Sequence, residues 1–441
     1  RAKPSNPGHP TPSPGGRLHR DRHDTTLLFG NPLAMIDHHS QYVVNPRGLN
    51  YDHSPAPADD PGEISMSKLR FVVLTLVVSM VSSRLLAAEA AKLTFVRPMP
   101  YQVIQREGFD ARHASVHEPT GPELGYADVV TRATLPNAVQ GNWQFRLELL
   151  DHGFGRAFDW LPIEASETGK ELKWLVEIPA GGWYRLHLRC VDGDETTAEG
   201  SVGPIGVGEV FVVAGQSYAG GHNDEVLKVT DAAQAVSTYD WQTKAWRIAH
   251  DPPPHNGDGG SIWPALGDML SPTLRVPVAF VNVSVGATST TKWLPDGPLH
   301  KRLIQVGREI GRFRAVLWQQ GESDVIENTP TETYIKNMRE IRDAAAEGWH
   351  FDVPWLLAKS TLHPTVYNDP RGEERIRMGT DQLWKQAGFA PGPDTDLLGG
   401  DNRGDAKSKR HFSGLGQRRA ALLWFVAIWN QVEKDGKVDE K

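Results

Sequence analysis

The chain has 441 residues with a net charge of −7, 39% hydrophobic and 23% charged. That length suggests two or three domains, and the acidic balance offers no basic excess with which to hold nucleic acid. A single cysteine, Cys190, excludes an intrachain disulfide framework and a cysteine-built zinc site.

Residues 1–65, opening "RAKPSNPGHPTPSPGG", are rich in Pro, Gly and His and nearly without apolar periodicity. Such a segment buries too little apolar surface to offset its ordering entropy, and it reads as disordered. From Met66, Lys68 and Arg70 precede an apolar run, Phe71 to Val81, broken by Thr75 and Ser79 and closed by "AAEA" at Ala90. Basic start, apolar centre and small residues predict a secretory signal peptide over 66–90. The run is short against the roughly 20 residues of a membrane span; an uncleaved anchor is the alternative. On this reading 1–65 are a start-site artefact, and the pair His38 and His39 has no metal role. The mature protein is then secreted or periplasmic, with no stable membrane insertion after cleavage.

From about 93 to 205 the chain reads as short strands: "YADVVTRATL", "NWQFRLELL", "LKWLVEIP" and "GWYRLHLRCV", separated by turn residues. In the last, Leu186, Leu188 and Cys190 alternate onto one face, which makes Cys190 a core residue. Strands at this spacing without helices predict a small β-sandwich-like domain.

From about 206 to 435 near-continuous apolar strands, "EVFVVAG", "VPVAFVNVSVG", "AVLWQQG" and "VPWLLAKS", alternate with helical stretches such as "TETYIKNMREIRDAAAEGW" and "GLGQRRAALLWFVAIWN". Burial on both faces predicts a parallel sheet, with ligands at the carboxyl ends of its strands. Those ends carry "GQS", "VGATS", "QQGESD" and "KSTLH". An attacking serine needs a base and oxyanion donors. Ser217 ends the first strand and is expected to open a helix whose N-terminus favours an anion. Gly286 offers an approachable backbone N–H and Gln320 a side-chain amide, so Ser217, Gly286 and Gln320 form the candidate oxyanion hole. His411, ahead of the last helix, is the candidate base; Leu415, Ala420, Leu422, Leu423, Phe425 and Trp429 are expected to pack that helix on the sheet. Asp324 reads as a loop anchor, His363 as structural and Trp318 as core. Trp263 and Trp293 lie in loop-like contexts, where an aromatic face can stack on a sugar ring, so both are candidate substrate-binding residues. An α/β-hydrolase is disfavoured: Ala219 stands where its G-x-S-x-G elbow needs the second glycine, and Ser217 follows the first strand of the α/β half.

"GQS", "VG" followed by Thr and Ser, "WQQGESD" and "HFSGLGQ", in that order, resemble the SGNH-type hydrolases. More narrowly they are similar to sialate O-acetylesterases and the acetylxylan esterases of carbohydrate esterase family six. The resemblance covers roughly residues 95–430. It implies a three-layer α/β/α flavodoxin-like domain, an acetylated carbohydrate as substrate, and no metal or organic cofactor. It assigns Ser217 as nucleophile, His411 as general base, and Ser217, Gly286 and Gln320 as the oxyanion hole. Two positions depart from the family. Tyr218 stands where Asn follows the serine, and Ser408 where many members have the Asp of a D-x-x-H pattern. Glu322 is the first candidate to orient His411, then Asp405, with a Ser–His dyad held by a backbone carbonyl as the third arrangement. The competing class is a secreted carbohydrate-binding protein that has lost catalysis.

Overall fold

A computed structural model describes residues 89–109, 124–150, 153–255, 257–364, 368–404 and 410–435. The expected disordered segment 1–65 and nearly all of the expected signal peptide 66–90 lie outside them, as do Asp405 and Ser408. The described residues all fall in one compact unit, Ser82–Lys441.

Its first half is β1 (Ala91–Lys92), β2 (Thr94–Arg97), β3 (Val103–Gln105), β4 (Tyr126–Thr134), β5 (Asn142–Leu149), β6 (Phe158–Pro162), β7 (Ser166–Thr168), β8 (Glu171–Pro179), β9 (Trp183–Asp192) and β10 (Glu195–Gly215). One antiparallel sheet runs β2-β4-β8-β7; the other joins β6, β5, β9 and the first half of β10. Strict alternation builds the core between them. Ala127, Val129 and Ala133 of β4 and Leu172, Trp174, Val176 and Ile178 of β8 are buried; so are Leu186, Leu188 and Cys190 of β9. Neighbouring residues face water, as one-sided antiparallel sheets require.

β10 runs for 21 residues, straight through the expected boundary near 205. It pairs antiparallel with β9 as far as Gly206, then parallel with strands of the second half from Glu209. Its glycines are there for close approach rather than for a turn. A Cβ on Gly208 would lie 1.9 Å from the Pro277 carbonyl oxygen, and one on Gly206 would lie 2.8 Å from the Pro277 ring. At this junction Glu209, fully buried, accepts from Arg106 Nε at 2.8 Å, Arg314 Nε at 2.8 Å and Gln105 Nε2 at 2.9 Å. Burial alone would raise the Glu209 carboxyl, but Arg314 and Arg106 outweigh it and hold it at about 2.

The second half adds β11 (Val236–Asp240), β12 (Ala245–Ile248), β13 (Val278–Asn282), β14 (Ala315–Gln319), β15 (Trp355–Lys359) and β16 (Phe389–Asp394). The order is β12-β11-β13-β10-β14-β15-β16, parallel except for β12. Counted from β10, the strands β13-β10-β14-β15-β16 follow the flavodoxin-like order 2-1-3-4-5, whose switch point lies between β10 and β14. Helices α1 (Trp263–Leu274), α2 (Pro298–Ile310), α3 (Glu322–Ile326), α4 (Thr331–Trp349), α5 (Pro370–Leu383) and α6 (Gly414–Asp435) complete the layers. Val210, Val212 and Ala214 join the core of α2, α4 and α5; Phe211 and Val213 join that of α1 and α6. The expected three-layer α/β/α domain with a parallel sheet is the one observed. The apolar stripe of α6 is Ala420, Ala421, Trp424, Ile428 and Val432, whereas Leu415 and Leu422, expected to pack, are exposed.

Candidate active site

The switch point is built from the turn after β10. Gly215 has φ of +129°, and a Cβ there would stand 2.1 Å from the Gln319 carbonyl oxygen, so glycine is required. No helix follows. Residues 217–221 form a turn in which Gly220 N–H donates to Gln216 O at 2.9 Å and to Ser217 O at 3.1 Å, and His222 N–H donates to Ser217 O at 3.3 Å. The expected helix N-terminus behind Ser217 is therefore replaced by this turn, and whatever holds an oxyanion here is local N–H groups rather than a helix dipole. Ser217 itself is half-buried.

Buried side chains clamp the turn from behind. Ala219 O accepts from Trp263 Nε1 at 2.8 Å and Asn282 Nδ2 at 2.7 Å, and Tyr218 O accepts from Asn223 Nδ2 at 3.2 Å. Trp263 is 3% exposed and packs against Phe280 and Trp424. Trp293 is fully buried, donates to Thr288 Oγ1 at 3.0 Å and meets Trp318 edge-on. The expectation that these two tryptophans stack on a sugar is thus corrected: a ring with no exposed face supports the rim from below.

The structure brings His411 to the same turn through Tyr218. The Tyr218 hydroxyl faces Arg410 O at 2.5 Å and Leu362 O at 3.1 Å, and it accepts from Arg403 Nη1 at 2.6 Å. Its ring meets His411 edge-on at 5.3 Å between centroids and stacks on Phe412 at 4.9 Å. Asn223 and Asp224 complete the seat: Phe412 N–H donates to Asn223 Oδ1 at 3.1 Å and Asp224 N–H to Phe412 O at 3.1 Å. His411 is 7% exposed. Burial pushes the Tyr218 hydroxyl far above its usual range, so it stays a donor. Tyr218 thus packs His411 against the turn.

On the second strand end, Val285 N–H donates to Gly215 O at 3.0 Å, which holds half-buried Gly286 beside the Ser217 turn. On the third, Gln320 is 1% exposed. Its Nε2 faces Asp324 Oδ2 at 2.6 Å, Thr288 O at 3.2 Å and Gln216 Oε1 at 3.4 Å. Two amide hydrogens already have three acceptors. Gln320 therefore ties three rim segments together in this structure instead of donating to an oxyanion. Asp324 also accepts from Thr290 N and Thr290 Oγ1, both at 2.8 Å, and so anchors its loop as the sequence suggested.

Glu322 is also corrected. Its fully buried carboxyl accepts from Ser360 Oγ at 2.8 Å and makes no bond to His411. Burial pushes it up to about 8, so it carries a proton at neutral pH and cannot act there as a charged partner of an imidazole. Asp401 is exposed, with its carbonyl accepting from Ser413 Oγ at 2.6 Å. Buried His363 lies on the fourth strand end, where burial lowers its ring below the usual imidazole range.

His222, five residues beyond Ser217 in "GQSYAGGHND", is a rim residue absent from the sequence-based expectations. Its Nδ1 lies 3.1 Å from Asp258 Oδ1, and its ring stacks on His411 at 5.9 Å with a 27° tilt. A titratable side chain one turn past a candidate nucleophile was the available signal. Among the described residues no group of three His, Cys, Asp or Glu side chains is disposed to hold a metal, and no helix is long and apolar enough to cross a membrane.

Residues 207–361 match the family described as carbohydrate esterase, sialic acid-specific acetylesterase. A probable carbohydrate esterase of Arabidopsis thaliana is 26% identical over 160 residues, 31% of this chain and 62% of that protein, so the chain spans less than two thirds of that relative's length. The solved structure of the Arabidopsis protein covers 50% of this chain and 98% of its own, with 19% identity and a TM-score of 0.41. A carbohydrate acetylesterase from Xanthomonas citri covers 75% of this chain and 74% of its own, with 15% identity and a TM-score of 0.45.

Proposed function

We propose that the protein, whose residues 207–361 match a carbohydrate-esterase family, is a serine ester hydrolase that removes O-acetyl groups from carbohydrates. The observation that carries this reading is the seating of His411 against the Ser217 turn by Tyr218. His411 takes the Ser217 proton as the oxygen attacks the acetyl carbonyl. The Ser217 and Gly286 N–H groups hold the tetrahedral oxyanion. Collapse expels the sugar hydroxyl, which leaves with the proton from His411, and an acetyl-enzyme remains. Water then attacks by the same route and releases acetate. The basic, apolar and small-residue pattern of 66–90 supports export, the reading under which the substrates are glycans outside the cytoplasm.

The test is acetate release across a panel of acetylated glycans, sialic acid and xylan included. Labelling by a fluorophosphonate accompanies it. Wild type should release acetate from at least one glycan and take the label at Ser217, while Ser217→Ala does neither. A folded wild-type protein that bound glycan but took no label would be a binding protein, and the esterase reading would fail.

A further inference from the structure

The proposed ester hydrolysis uses one histidine of the rim, His411, and a second stands against it. His222 has a side chain 29% exposed, the more open of the two rings. A Cβ placed on Gly286 would lie 3.2 Å from His222 Nε2, and one on Gly220 would lie 3.7 Å from His222 Cδ2. The imidazole thus fills the space that two glycines leave, with Nε2 at the edge of the ester site. Asp258 fixes what that nitrogen offers. A carboxylate only accepts, so the His222 Nδ1 facing Asp258 Oδ1 at 3.1 Å carries the hydrogen. In the neutral ring Nε2 is then a lone-pair acceptor. A lone pair repels an oxyanion and suits a hydroxyl donor.

We propose that His222, orientated by Asp258 and stacked on His411, accepts a hydrogen bond from a free sugar hydroxyl neighbouring the acetyl group being removed. This rests on the esterase reading and adds a specificity-determining contact to it. The enzyme then distinguishes a partly acetylated sugar, which has such a hydroxyl, from a fully acetylated sugar or a simple aryl acetate, which have none. An acceptor built for a hydroxyl is left unpaired by substrates that lack one, and they are disfavoured.

The experiment compares kcat/KM of the full chain on a mono-O-acetylated methyl glycoside, the peracetylated form of the same sugar, and p-nitrophenyl acetate. His222→Phe keeps a ring against His411 and Gly286 but removes the nitrogen. The preference for the mono-acetylated sugar over the other two should fall roughly three- to tenfold, the scale of one neutral hydrogen bond. His222→Gln, which retains an acceptor, should recover part of it. Asp258→Ala, at an exposed position, should lower the preference less, and it carries the test if His222→Phe does not fold. An equal loss on all three substrates would assign His222 to the chemistry at Ser217 or to packing, and an unchanged preference would make it packing alone; either overturns the proposal. Wild type inactive on all three substrates would instead defeat the esterase reading itself.

Discussion

Glu209 and Glu322 are both fully buried carboxyls on the central sheet, one at the foot of β10 and one just past the end of β14. Glu209 is surrounded by Arg106, Arg314 and Gln105 and is held ionised, near 2. Glu322 has Ser360 Oγ and is pushed to about 8. The same side chain is a fixed anion at one end of the sheet and a neutral acid at the other, because guanidinium groups hydrogen-bond the first, whereas at the second burial outweighs the attraction of Arg403. The foot of the sheet uses its charge to lock β-sandwich to α/β layer. At the rim, burial favours the neutral form of Glu322.

Four experiments break or sharpen that contrast. The largest effect is at the rim: Ser217→Ala should lower acetate release at least about 1000-fold while leaving thermal unfolding nearly unmoved. At the foot the pattern inverts. Glu209→Ala leaves the fully buried Arg106 guanidinium without its carboxylate and should cost about 3–5 kcal/mol in urea unfolding, with kcat per folded molecule retained. Tyr218→Phe comes next. Loss of its hydroxyl from between Arg403 and the Arg410 carbonyl should cost about 1–3 kcal/mol and lower kcat more than it raises KM, since the seat of His411 loosens.

A pH slope separates the two carboxyls directly. Glu209, depressed on folding, contributes stability that is present above its unfolded value of 4.5 and lost as pH falls toward 2. Glu322, raised on folding, contributes stability that is present below 4.5 and lost as pH rises through about 8. Unfolding free energy measured from pH 3 to 9 should rise and then decline through these two groups. Glu322→Gln should flatten the alkaline limb while leaving the acid limb in place. A variant that flattened neither limb would show that burial does not hold Glu322 neutral.

Much of this was legible in the chain. Alternation in "YADVVTRATL" and "GWYRLHLRCV" marks half-buried strands because one face meets water, and β4 and β9 obey it. The order of "GQS", "VGATS" and "QQGESD" placed Ser217, Gly286 and Gln320 on neighbouring strand ends, since a doubly wound sheet collects its carboxyl ends on one rim. Other features depend on what a residue meets across the fold. The expected boundary near 205 falls in "GSVGPIGVG", yet Gly206 and Gly208 admit Pro277 inside a continuous strand. Pro391 and Pro393 argue against a strand, and β16 tolerates them as the last in the sheet. Trp263 looked like a loop residue until Phe280, Trp424 and the Ala219 carbonyl surrounded it. Which acceptors claim the Gln320 amide is likewise a matter of three loops meeting.

The unbroken run of β10 bears on whether the two halves are separable modules. A chain started at residue 206 would begin inside a strand and lose β9 and β3 as its neighbours. It would also part Glu209 from Arg106. Backbone groups now paired on that strand would open to solvent beside a half-satisfied charge cluster. In this chain the α/β layer and the sandwich should therefore be expressed and unfolded as one piece, with Ser217 at the tip of a beam anchored in the sandwich.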